Sequence, residues 1–103
     1  MKVLLGDVDI VDVILLSYRQ YDYVQVYINA MYNSMKLYIN GEDVCECNAR
    51  VLEVEEIGEV IVTLRVQDFR DVLANITENE VMLRVDEAGI WIGDFFLPNT
   101  LMF

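Results

Sequence analysis

The chain has 103 residues, 55% of them hydrophobic, with one proline and five glycines, which fits one folded domain and excludes both disorder and a pair of domains. A formal net charge of −11 with no histidine excludes general phosphate affinity without a local basic patch, and any Ser-His or Cys-His catalytic arrangement. No apolar run approaches the roughly 18 residues that a membrane span needs.

The N-terminal MKVLLGDVDIVDVILLSY superficially resembles a secretion signal, but Asp7, Asp9 and Asp12 interrupt it and no small-residue cleavage site follows. It reads as part of the folded domain. Lys2 to Leu5 form a first strand. Asp7 or Asp9 caps a helix running to about Tyr18, with Ile10, Val13, Ile14 and Ser17 on one side and Val11, Leu15 and Tyr18 beside them. So broad an apolar face implies deep packing or contact with another subunit. Tyr23 to Ala30 alternate as a second strand, with Val24, Val26, Ile28 and Ala30 toward the core. Tyr23 and Tyr27 share the other face, as a candidate protein-interaction surface or as ordinary half-exposed sheet residues.

Met31 to Ser34 connect to a strand over Met35 to Ile39, and Asn40-Gly41 is the strongest hairpin signal in the chain. Asp43 to about Val54 read as one long return strand, bulged or bent near Arg50-Val51-Leu52, where the alternation slips. Cys45 and Cys47, two apart on a strand, point to one face. So short a loop strains a disulfide, and reduced, half-buried thiols are expected, with no metal site and no cofactor. Glu53, Glu55, Glu56, Gly58 and Glu59 mark a solvated acidic turn.

Beyond that turn, Val62, Leu64 and Val66 alternate as a strand, and Phe69, Val72, Leu73 and Ile76 fall at helical spacing, with Asp68 placed to cap. Val81, Leu83 and Val85 return to period two, Asp86-Glu87-Ala88-Gly89 turn, and Ile90-Trp91-Ile92 begin the partner strand. Asn75-Ile76-Thr77 fits the glycosylation pattern but lies on the expected helix, with no secretion signal to expose it to that machinery. The tail DFFLPNTLMF is strongly apolar, and Pro98 argues against a central strand there. It either closes the core or docks on a partner.

The two halves repeat. Asp9-Ile10-Val11-Asp12-Val13-Ile14 matches Asp68-Phe69-Arg70-Asp71-Val72-Leu73, 59 positions on, and the same offset pairs Val3 with Val62 and Val24 with Leu83. The expected architecture is therefore α+β, a duplicated β-α-β-β unit with two short helices packed on antiparallel sheet. It forms a single domain over 1–103, with repeats at about 1–54 and 59–94 and an apolar tail over 95–103. No phosphate-cradling glycine loop and no recognisable acid/base pair is present, so the expected role is binding and not catalysis.

The segment EVIVTLRVQDFRDVLANITENEVMLRVDEAGIWIGD resembles one domain of the DNA sliding clamps, the beta-clamp and proliferating-cell-nuclear-antigen family. It follows that family's strand, its helix with a Phe/Leu-x-x-Val-Leu core, and its hairpin ending in a short apolar-glycine segment, over about a third of the chain. The resemblance implies a DNA-clamp-like fold, two helices side by side, and a structural or replication-associated role. In that family the helices present basic residues to DNA. Here only Arg19 and Arg70 match as DNA contacts, against Asp7, Asp9, Asp12, Asp68, Asp71 and Glu78.

Three functions follow as expectations. The first is a self-associating or replication-associated clamp-like module whose sheet edges pair between subunits. The second is an acidic, DNA-mimicking inhibitor of viral or mobile-element type that binds a DNA-handling protein. The third is docking through Leu101, Met102 and Phe103, which loosely resemble the Leu-x-Phe ending of clamp-binding peptides. The expected partners are proteins, including further copies of the chain, with little support for DNA and none for a membrane. The expected setting is cytoplasmic, extending to a virus-infected host cell.

Overall fold

A computed structural model describes residues 1–54 and 58–100. The fold is α+β, with two helices and two antiparallel sheets closing on one hydrophobic core. The elements run β1 (Lys2–Leu5), α1 (Val8–Leu16), β2 (Tyr23–Asn29), β3 (Ser34–Ile39), β4 (Glu42–Glu46), β5 (Ala49–Glu53), β6 (Glu59–Arg65), α2 (Val66–Leu73), β7 (Val81–Asp86), β8 (Gly89–Ile92) and β9 (Phe95–Pro98). One sheet has the order β5-β1-β7-β8-β9 and the other β4-β3-β2-β6.

The pairing is reciprocal. β1, which precedes α1, pairs with β7, which follows α2, through Val3 opposite Leu83. β6, which precedes α2, pairs with β2, which follows α1, through Val26 opposite Val62. Each helix therefore carries the chain from one sheet to the other. Period-two residues Val3, Leu5, Leu83, Val24, Val26 and Ile28 are fully buried, and α1 and α2 pack against each other above them. Asn40 and Gly41 both take positive φ, 54° and 79°, the mirror-image turn that matches strand twist.

Several expectations change. The expected strand over Asp43 to Val54 is two strands in different sheets. β4 pairs with β3, and after Asn48 the chain crosses so that β5 pairs with β1. Asn48 fixes the crossing, since its carbonyl accepts from Gly6 N at 2.7 Å and its amide nitrogen donates to Asp7 at 3.0 Å. β6 ends at Arg65, and Val66 opens α2 instead of continuing the strand. Asp68 is not the cap but a first-turn residue. Arg65 occupies the N-cap without a side-chain bond, because the loop before β2 accepts the first amides: Val66 N to Asp22 O at 2.8 Å and Gln67 N to Gln20 O at 3.0 Å. Asn75 lies just past the helix, its side chain donating to Asp71 O at 2.8 Å.

The largest change concerns α1. Its buried residues are Val8, Val11 and Leu15, whereas Ile10, Val13 and Leu16 face solvent at 56%, 64% and 61% exposure. Burial in the two helices therefore aligns at 58 positions, Val8 with Val66, Val11 with Phe69 and Leu15 with Leu73. The aspartate match at 59 positions is one residue out of step with the core. The tail also gains definition: Phe95–Pro98 form the edge strand β9, and Asn99–Thr100 cross to the other sheet, where Thr100 N donates to Thr63 O at 2.8 Å.

Candidate functional site

Two outer surfaces and one helix face hold the chemistry. On the outer face of the β4-β3-β2-β6 sheet, Tyr23 accepts from Arg65 Nη2 at 3.0 Å and lies under that guanidinium at 5.3 Å. Tyr27 donates to Glu59 and accepts from Asn29 Nδ2 at 3.2 Å. The Glu59 carboxylate beside its hydroxyl holds the Tyr27 phenol above its ordinary range. Tyr27 meets Tyr38 edge-on at 6.4 Å and, with Gln25 and Ile61, lines a shallow hollow of about 260 Å³. The two tyrosines thus share a face, as expected, with their polar tips already bonded within the chain.

Arg70 is also engaged. Its Nε lies 3.0 Å from Asp12 Oδ1, an ion pair joining the two helices. Arg19, on the loop after α1, leans on Tyr21, with its Nη1 3.3 Å from the hydroxyl. No hydrogen bond or ion pair among the described residues joins Arg19 to Arg70. The helix pair presents Asp9, Asp68 and Asp71 around one internally neutralised arginine. Leu101, Met102 and Phe103 lie outside the described residues.

Cys45 and Cys47 are free thiols turned toward the core, Cys47 the more deeply. Desolvation by burial pushes both thiols up, Cys47 strongly, so neither is a ready nucleophile. Among the described residues no group of three His, Cys, Asp or Glu side chains could hold a metal, and no helix is long and apolar enough to cross a membrane.

The outer face of the five-stranded sheet holds a surface that the sequence reading did not single out. Glu53, Lys2, Arg84, Trp91 and Phe96 stand directly opposite one another across β5, β1, β7, β8 and β9. Arg50, Leu4 and Met82 form the adjoining row. Like charges directly opposite are normally unfavourable. Here Lys2 and Arg84 share a rung, relieved by Glu53 at 3.6 Å from the Lys2 amine and by the Trp91 ring, 5.4 Å from the Arg84 guanidinium. Trp91 packs on Phe96 at 5.1 Å, yet the two residues keep 39% and 42% of their surface exposed. Three of the seven basic residues of an acidic chain meet on this aromatic face.

Part of this row was readable. A two-residue turn at Glu87-Ala88 sets Asp86 opposite Gly89 and hence Arg84 opposite Trp91. The approach of Lys2 to Arg84 depends on strands about 80 residues apart and carries no local signal. Comparison with protein families, with curated proteins and with solved structures finds no match for this chain.

Proposed function

We propose that this chain is a non-catalytic, clamp-like interaction module that works by binding protein, either further copies of itself or a replication-associated partner, and not by encircling DNA. The observation that carries this reading is the reciprocal exchange of strands between two β-α-β-β units, with paired helices above a shared core. Two helices side by side on antiparallel sheet are what the clamp resemblance implies, and the strand exchange adds support for a duplicated unit. The helix surface that would face DNA in such a ring offers Asp9, Asp68 and Asp71, and its one arginine is spent on Asp12. Such a surface repels phosphate, most strongly at low salt. The exposed aromatic and basic sheet face and the apolar outer face of α1 are instead surfaces of the kind proteins bury on association.

A second reading rests on the same carboxylates. Their display on a compact helix pair suits a DNA mimic, an acidic inhibitor that occupies the DNA site of a nucleic-acid-handling protein. Titration of a fluorescently labelled duplex at low salt tests the main proposal. No change in anisotropy is expected. Binding that weakens in R70A and R19A would overturn it, because the helix pair would then be a phosphate-binding surface.

A further inference from the structure

Self-association by strand pairing requires an open sheet edge, and the four edge strands are blunted. Thr63 of β6 already donates its amide to Asn99 Oδ1 at 2.9 Å and accepts from Thr100. Val51 of β5 donates to Asn33 Oδ1 at 2.7 Å. β4 carries Glu42, Asp43 and Glu46 within five residues, and β9 is four residues ending in Pro98. Charge, brevity and proline are the usual means by which edges are kept from pairing.

Two faces remain, and their chemistry is complementary. At 100° per residue, Asp9, Ile10, Val13 and Leu16 occupy one arc of α1, opposite the buried arc of Val8, Val11 and Leu15. This outer arc is apolar with a carboxylate and no basic residue. The five-stranded sheet offers Met82, Trp91 and Phe96 beside Lys2, Arg50 and Arg84, an apolar surface flanked by cations of which, among the described residues, only Lys2 is paired to an acid of the same face, Glu53.

We propose that the outer arc of α1 docks on the outer face of the β5-β1-β7-β8-β9 sheet of a second copy of this chain, with Val13 and Leu16 against Trp91 and Phe96 and Asp9 toward Arg84. The contact rests on the reading of the chain as a protein-binding module and names its partner. Because helix and sheet faces lie on different sides of one molecule, the contact is head-to-tail, and each subunit keeps one unsatisfied face until a ring closes or a filament grows. The apolar centre supplies affinity, and the charges set orientation and salt dependence.

Sedimentation velocity over a concentration series tests this with V13D, which spoils only the helix face, and R84E, which spoils only the sheet face. R84E also places an acid opposite Lys2, so its fold should be kept, and L16E is the second helix-face variant should V13D melt early. The wild type should assemble, each variant alone should lose association by roughly tenfold or more, and an equimolar mixture should form a two-subunit species and nothing larger. One intact helix face and one intact sheet face make a single contact. A wild type that stays monomeric, or a mixture that stays dissociated while the wild type assembles, would overturn the proposal. Assembly without complementation would sink this contact yet leave a protein-binding module standing, whereas duplex binding by the helix pair would overturn that module and not this contact.

Discussion

At the scale of single residues, the hairpin β8–β9 depends on Gly89. A Cβ there would lie 2.3 Å from Leu97 O and 2.9 Å from Pro98 Cα, both backbone atoms that cannot swing aside. G89A should therefore lower stability by about 1–3 kcal/mol, the usual cost of overpacking, read as a fall in the thermal midpoint. Its φ of 156° is also one that residues with a side chain rarely adopt, so the glycine is required both by its own backbone and by the approach of the neighbouring strand. The thiols give a pH dependence. Burial raises Cys47 far above its ordinary value of 9.0, so the folded state keeps the proton that the unfolded chain releases. The stabilisation is complete below pH 9.0 and is lost as pH climbs above it. In native protein both cysteines should react slowly with a disulfide reagent at pH 8, and in denaturant both should react promptly. Prompt native reaction of Cys47 would contradict its burial.

At the scale of elements, α1 provides the sharpest contrast. Leu15 is fully buried and its neighbour Leu16 is 61% exposed. L15A should cost about 2–5 kcal/mol in denaturant unfolding, while L16A should stay within about 0.5 kcal/mol. The reverse ranking would contradict the burial of Val8, Val11 and Leu15 as the core face of α1. The expected apolar face of α1 shows how far local pattern reaches. α2 has few apolar residues, and Phe69, Val72 and Leu73 leave one buried stripe to choose. α1 is apolar nearly all round, so spacing alone does not choose the face. The sheets decide, and they select Val8, Val11 and Leu15. The alternating strands and the Asn40-Gly41 hairpin were legible because their signals are local. The break at Asn48 was not, since it follows from which sheet edge each half of the segment reaches. In the candidate site, the turn before β8 places Arg84 opposite Trp91, but the aspartate that neutralises Arg70 comes from the other helix and has no signature in sequence.

At the scale of the whole molecule, a charge of −11 is distributed unevenly. Carboxylates dominate the helix pair, and three of the seven basic side chains gather on the aromatic sheet face. The result is an acidic body bearing a cationic, aromatic patch on one sheet and an apolar arc on one helix, surfaces that the proposed function assigns to protein contacts. Ion pairs at such a contact would be weakened by salt, while its apolar centre would persist.

The most direct measurement is solution mass by light scattering at low and moderate salt, with and without duplex DNA. The account predicts a mass above the 11.9 kDa monomer that rises with protein concentration and is unchanged by the duplex at either salt. A species that gains mass with DNA at low salt, where phosphate attraction is strongest, would show DNA binding and contradict it.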